Sequence, residues 1–303
     1  MTSPHSNTLP DNNQVGGKFN RNTADEPRIN RFKEFLRGKD IAFSDITVSL
    51  LKRFATNLKS TREISECTII NHLVVIRSIF SQAIGSEIVD AKYYPFGKSK
   101  IRIKFPDSAK LGLTKDEVLL IENAELAPNS PVNHARNLWL FSFYFAGMRL
   151  SDILRLRWSD FQNDRLHYTM GKNQKTGSLK IPEKVRDTLK QYESEKRSDV
   201  DLIFPHLKML PDLSDAFLVQ KKIKNADHRL NAALRALAES LKLKKHLTMH
   251  IARHTFGNIS GDKIPIQMLQ KLYRHTSITT AIGYQANFMH KDTVAALDAV
   301  VGF

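Results

Sequence analysis

Residues 135–154, ARNLWLFSFYFAGMRLSDIL, decide the architecture of the larger part of this chain. Apolar side chains run almost unbroken from Ala135 to Ala146, enough for a buried helix of about three turns but short of the ~18 residues that a bilayer span needs. Gly147 is placed to stop that helix, because glycine readily takes the left-handed conformation found at helix C-termini. From Ser151 to Leu156 helical spacing resumes. A buried helix that ends on glycine and is followed at once by Arg149 and Asp152 sets polar chemistry at the edge of a core.

Working outward, residues 106–113 read as the end of a linker, and Thr114 with Glu117 three positions on has the form of a capping box that opens a helix. Downstream of the quoted stretch, Arg165 to Met170 and Ser178 to Pro182 have strand content on either side of the turn-forming Gly171-Lys172-Asn173-Gln174, which predicts a β-hairpin. Most of the chain beyond this hairpin is helical, including an amphipathic segment from about Lys291 to Val300. Upstream, Ile29, Phe32, Phe35 and Leu36 recur at helix spacing, as do Val48, Leu51, Phe54, Ala55 and Leu58, and then Ile69, Leu73, Ile76, Phe80 and Ile84. From Lys98 to Lys104 cations alternate with Ile101 and Ile103, which predicts an extended basic strip with four cations on one side. The first 27 residues are polar and aperiodic and read as a mobile tail. The expected fold is mainly α with a small β-hairpin or sheet (α+β), in three parts: a tail (1–27), a helical domain with its basic linker (28–105), and a larger domain (106–303).

The 303 residues hold 41 % hydrophobic and 25 % charged side chains, a globular composition. No secretory or transit signal is legible at the N-terminus, and no membrane span is expected, so the protein is expected in the cytoplasm. Cys67 is the single cysteine, which excludes an internal disulfide and any zinc site built on paired thiolates. Forty-six Lys and Arg face 31 Asp and Glu, a formal charge of +15 that points to a polyanionic partner, nucleic acid first. Residues 28–105 carry a balance of +8, half of the total in about a quarter of the length. Lys98, Lys100, Arg102 and Lys104 are therefore candidate phosphate contacts. No aromatic RNA-binding signature and no lone basic amphipathic helix supports RNA or a membrane surface as the partner.

Four short segments carry chemistry. Ala146 to Leu154 presents Arg149 and Asp152. The hairpin turn presents Lys172 and Lys175. His250-Ile251-Ala252-Arg253-His254-Thr255-Phe256 places His250, Arg253 and His254 on one face of a helix. His275 and Tyr284 stand nine residues apart, across a turn expected at Ser277 to Thr280, and Gly257, Ser260, Gly261 and Pro265 shorten the helix after the histidine box. Two guanidiniums can clamp the non-bridging oxygens of a phosphate, charge that would otherwise call for a metal ion. No acidic cluster of the kind that binds magnesium is visible, so no metal and no other cofactor is expected. A phenol is a weak nucleophile until its proton is drawn off or its anion is stabilised by cations.

In order and spacing these segments resemble the tyrosine recombinase (phage integrase) family, over the chain from about Arg28 to its end. Arg149 matches the family's first arginine, His250 and Arg253 its H-x-x-R box, and His275 and Tyr284 its final histidine and nucleophile. Lys175, in the string K-T-G, matches the hairpin lysine, with Lys172 as the alternative. Where the family usually has Leu-Gly before the last histidine, this chain has Tyr273-Arg274. The resemblance implies a helical core-type DNA-binding domain joined to a catalytic domain. It further implies strand cleavage by Tyr284 to a 3′-phosphotyrosine, a lysine that protonates the leaving 5′ oxygen, a phosphate contact from His275, and rejoining without ATP. A homotetramer holding two DNA duplexes, with no small-molecule substrate, is implied by the same resemblance. Two other readings remain open on sequence alone: a DNA-binding regulator that has lost catalysis, and a type IB topoisomerase-like enzyme. The bland readings are that Arg149 binds helix-end carbonyls, that His250 and His254 form half of a zinc site, that His254 is a buried structural group, and that Asp152 orients a neighbouring cation. Val294, Leu297 and Val300 are expected to pack either on this chain or on a neighbouring protomer.

Overall fold

The computed structural model describes residues 19–106, 112–169, 171, 176–261, 263–275 and 277–289, with side chains from 23 to 284. The chain divides into two compact units, Met1–Ser108 and Ala109–Phe303. Each has its own core.

The first unit is built on α1 (Phe19–Phe35), α2 (Val48–Arg62) and α3 (Glu66–Gly85). Thr47 and Ser65 accept the backbone N–H groups of Leu50 and Thr68, so side chains satisfy donors that α2 and α3 would otherwise leave exposed. The three apolar stripes meet around Phe54, whose ring lies 5.0 Å from Phe32 and 5.2 Å from Phe35, with Leu51, Leu73, Ile76 and Phe80 beneath. Helix α1 begins well inside the segment expected to be a tail, so that boundary is corrected at residues 19–27. The sequence of this part, FNRNTADEP, is mostly polar and gives no periodic signal. An Asp25–Arg28 ion pair lies along it, and Pro27 sits at an exposed position where water can compensate for its missing N–H. Residues 1–18 lie outside the described residues.

Helix α3 is long and apolar enough to cross a membrane by length and mean hydropathy, although no segment is expected to do so from its sequence. Its Ile69, Leu73, Ile76 and Phe80 are buried in the core of this unit. The basic strip is not uniformly extended. Gly97 takes φ +149°, the chain turns over 97–100, and Ile101 donates back to the Pro95 carbonyl at 3.1 Å. The reason is packing: Ile101 is buried beside Phe96, with which it forms a parallel bridge, and Ile103 packs on the same core. Lys98, Lys100, Arg102 and Lys104 remain exposed.

In the second unit α4 (Lys115–Glu122) opens with the expected capping box of Thr114 and Glu117. The central helix is α5 (Pro131–Tyr144), with Ser130 as cap and Pro131 in its first turn. Its Leu138, Trp139 and Phe141 are wholly buried, and it packs against α7 (Glu183–Glu193), α8 (Ala216–Ser240) and α9 (Met249–Ser260). The Trp139 indole donates to the Thr248 carbonyl at 3.1 Å and the Met249 N–H to the Asn231 amide oxygen at 2.8 Å. These two bonds fix where α9 starts.

After α5 come the short helix α6 (Leu150–Ile153) and a three-stranded antiparallel sheet, β1 (Phe161–Gln162), β2 (Arg165–Thr169) and β3 (Thr176–Lys180), in the order β1-β2-β3. The expected hairpin is β2–β3, with Tyr168 opposite Gly177; the first strand, two residues long, carries no readable alternation. Two helices complete the described chain, α10 (Ile266–Tyr273) and α11 (Ile278–Met289). Helix α11 replaces the turn expected at Ser277 to Thr280. The segment 291–300, with Val294, Leu297 and Val300, lies outside the described residues.

Candidate active site

The loop between α5 and α6 carries Arg149, the residue that precedes α6. Ala146 and Gly147 both take positive φ, and the Ser142 hydroxyl donates to the Met148 carbonyl at 2.7 Å while the Met148 N–H returns to the Ser142 carbonyl. A side chain at Gly147 would place its Cβ 2.6 Å from Arg253 Cα, so this position admits only glycine beside α9. The stretch that decides the fold thus lies directly on the histidine box.

Arg253 is only 2 % exposed. Its guanidinium donates through Nη1 to the Gly147 carbonyl and through Nη2 to the Tyr273 carbonyl, both at 3.0 Å, and Nη2 also meets His275 Nε2 at 3.0 Å. Arginine has no acceptor, so Nε2 accepts and the ring proton of His275 is on Nδ1. Burial lowers the pKa of Arg253, and the charge of Arg149 lowers it further. Two cations that act on each other where one is desolvated disfavour each other until an anion arrives. The pair is therefore a candidate phosphate clamp.

Tyr284, on α11, is 7 % exposed and is held by rings on every side. His254 stacks on it at 5.0 Å and 22°, His275 lies at 5.6 Å, Tyr273 meets it edge-on at 4.9 Å, and the Arg253 guanidinium stands 5.8 Å from its centroid. His250 is exposed at the outer end of this row, 4.7 Å from His254. Close approach of α11 to α9 is possible because residue 257 is glycine: a Cβ there would lie 2.7 Å from Tyr284 Cβ.

Of the expected catalytic set, the structure brings Arg149, His250, Arg253, His275 and Tyr284 together in the second unit. Lys175 and Lys172 lie outside the described residues, although both strands of their hairpin are present. Lys98, Lys100, Arg102 and Lys104 belong to the first unit. His254 is half-buried, and its ring packs on that of Tyr284. Asp152 accepts the Gly171 N–H at 3.1 Å, which ties the hairpin to the Arg149 loop, and its charge also acts on Arg155. Among the described residues no three His, Cys, Asp or Glu side chains gather as a metal-binding group, and His250 and His254 find no third ligand there.

Sequence reasoning missed Tyr168, Asp227 and the double part played by Tyr273. Tyr168, on β2, has its hydroxyl pKa raised by burial, while Arg274, Arg253 and Arg149 oppose that shift, so three cations converge near it. Asp227, on α8, is held above the usual carboxylate range by burial, opposed by a bond from Asn231 and by the nearby His250 and His228. Nothing in its local sequence marks it. The Tyr273 hydroxyl donates to the Arg253 carbonyl while its own carbonyl accepts from the Arg253 side chain, and its ring lies 3.8 Å from the guanidinium. The signal was present in the unusual Tyr273-Arg274 pair.

Residues 10–102 match the phage integrase SAM-like domain, which reaches into the segment expected to be a tail. A protein named tyrosine recombinase from Pseudothermotoga lettingae is 25 % identical over 263 residues, 84 % of this chain and 83 % of that one. Another of the same name, from Thermosipho africanus, is 26 % identical over 227 residues, 72 % of this chain and 71 % of its own length. In fold, the chain is similar to the XerH site-specific recombinase bound to a palindromic difH substrate in a post-cleavage complex (TM-score 0.68, 17 % identity, 93 % of this chain and 82 % of that one). It is also similar to a lambda integrase tetramer bound to a Holliday junction (TM-score 0.59, 16 % identity, 92 % and 73 %). Residues 113–291, more than half of the chain and every described residue of the clamp, match the phage integrase family, and the protein belongs to that family.

Proposed function

We propose that this protein is a site-specific DNA recombinase that cuts and rejoins duplex DNA through a tyrosyl phosphodiester. One observation carries the reading: the Tyr284 phenol is packed against His254 and His275 and faces the buried guanidinium of Arg253, which in turn feels the charge of Arg149. In the proposed step Arg149 and Arg253 bind the non-bridging oxygens of the scissile phosphate, and His275 hydrogen-bonds one of them. Tyr284 Oη attacks phosphorus and gives its proton to His250, directly or through water. The bond from phosphorus to the 5′ oxygen breaks, and Lys175, with Lys172 as the alternative, protonates that oxygen. The products are a 3′-phosphotyrosine and a free 5′ hydroxyl. Because the diester bond is kept, the reverse reaction with the 5′ hydroxyl of another strand reseals DNA without ATP.

Duplex DNA is the partner in this reading. Lys98, Lys100, Arg102 and Lys104 contribute phosphate contacts from the first unit, and four copies act on two sites. The test is a nicked duplex carrying the protein's own site, incubated in a chelator and resolved on a denaturing gel. Wild-type protein is expected to form a covalent adduct, and Tyr284→Phe to form none while still binding the duplex, since only a hydroxyl is lost. An adduct formed by Tyr284→Phe sinks the assignment of the nucleophile.

A further inference from the structure

Arg274 has a backbone conformation and a set of contacts that the chemistry above does not use. It caps α10 at φ +52°, the left-handed region in which glycine is the usual choice, so a large side chain is kept here at a conformational cost. Its guanidinium lies 4.1 Å from the Tyr168 ring centroid, and Nη1 donates to the Tyr168 carbonyl at 3.3 Å. Across the ladder, Tyr168 pairs with Gly177, where a Cβ would fall 2.6 Å from Arg274 Nη2. Glycine in an edge strand here leaves the room that the guanidinium fills. Arg274 and His275 also line one groove of about 490 Å³ whose other wall includes Thr176, Gly177 and Ser178.

We propose that Arg274 is a positioning residue that straps strands β2 and β3 to the His275 segment and so acts, through the hairpin, on the protonation of the leaving oxygen. The inference rests on the reading of the hairpin lysine as the acid for the leaving group. A short antiparallel ribbon with one edge in solvent is poorly fixed by its own ladder. Two ties hold this one near its turn. Asp152 takes the Gly171 N–H from the Arg149 side, and Arg274 grips the Tyr168–Gly177 rung from the His275 side. Each tie springs from a residue adjacent or nearly adjacent to a member of the phosphate clamp, so the acid and the clamp share one frame.

The test compares two DNA substrates, one with the natural 5′ bridging oxygen at the scissile phosphate and one with sulfur in its place. A thiolate leaves without a proton, because thiols titrate near ~8.5, so the sulfur substrate bypasses the acid. Arg274→Gly suits the left-handed backbone and removes only the strap. Cleavage of the oxygen substrate is expected to fall about 10- to 100-fold, the cost of a misplaced catalytic group, with the wild-type rate on the sulfur substrate. Recovery on sulfur also shows that the variant is folded and binds DNA. Arg274→Lys is expected to stay slow on oxygen, since an ammonium cannot stack on Tyr168 and donate to its carbonyl at once. Equal losses on both substrates place Arg274 on the phosphate instead, and no loss on either removes it from the reaction; both outcomes overturn the proposal, as does full recovery in Arg274→Lys. Lys175→Ala and Lys172→Ala are run in parallel. If neither shows the oxygen-only defect, the acid assignment itself falls, on a measurement separate from Arg274.

Discussion

Gly257→Ala isolates how tightly the nucleophile is set. The new Cβ would lie 2.7 Å from Tyr284 Cβ, 3.1 Å from the Tyr273 hydroxyl and 3.3 Å from the Tyr284 carbonyl. Carbon pairs settle at about 3.5–4.0 Å, so α11 must retreat from α9 by about 1 Å at the residue that carries the phenol. Two effects compete in stability. Alanine inside a helix gains about 1 kcal/mol over glycine, and overpacking costs about 1–3 kcal/mol, so the melting temperature is expected to fall by only a few degrees. Catalysis has no such offset, and a displacement of this size is expected to slow adduct formation about 100-fold. Gly85→Ala is the matched control, because nothing lies within 4 Å of a Cβ at that helical position. The assay is single-turnover cleavage of a nicked site, with duplex binding and thermal unfolding measured on the same samples. Wild-type cleavage by Gly257→Ala would refute the reasoning that α9 and α11 are in register at Tyr284.

Arg149→Lys is expected to cut the cleavage rate about 10²- to 10³-fold with binding largely kept, read in the same single-turnover assay, because an ammonium cannot replace a fork on two phosphate oxygens. Burial holds the His134 pKa down to about 4, and burial also lowers that of His206, stacked on it at 4.9 Å. The folded state therefore resists protonation that the unfolded chain accepts near 6.5. Stability is full above that value and is lost as pH falls from about 6.5 toward 4, by at most about 3 kcal/mol for His134, which urea unfolding at several pH values measures. Removing Lys98 and Arg102 together is expected to weaken duplex binding at all sequences alike and to reduce the slope of log affinity against log salt by about 0.9 per lost phosphate contact. An unchanged slope would take those side chains off the DNA.

The sequence was most legible where one local signal decided the outcome. Thr114 and Glu117 made their capping box, Gly261 capped α9, and Gly171 marked the hairpin turn, whereas α5 ends at Tyr144, with Phe145 as its cap, before it reaches the expected stop at Gly147. It failed where structure is set by contacts across the fold. The polar first turns of α1 have no periodicity to read, and the strand-like alternation over 98–104 gave way to a turn because Ile101 gains more by burial beside Phe96 than by lying extended. In the site, spacing located Arg149, His250, Arg253, His275 and Tyr284, since each stands in a short string whose order is informative. Asp227 and Tyr168 carry no such string. They reach the site through the packing of α8 and the register of β2, neither of which exists in one dimension.

Tyr273 shows why the site needs more than its reacting groups. A guanidinium buried to 2 % exposure beside a second cation pays heavily for desolvation unless acceptors surround it. Tyr273 supplies a carbonyl to Nη2, a ring face at 3.8 Å and a hydroxyl that fixes the backbone of Arg253 itself, while Gly147 supplies the second carbonyl. These acceptors are neutral. They orient the guanidinium without cancelling its charge, which an aspartate in the same place would do. In the proposed reaction this keeps Arg253 positive and oriented, and the favourable ion pair is left to be made with the phosphate, whose charge would rise as the phenol attacks.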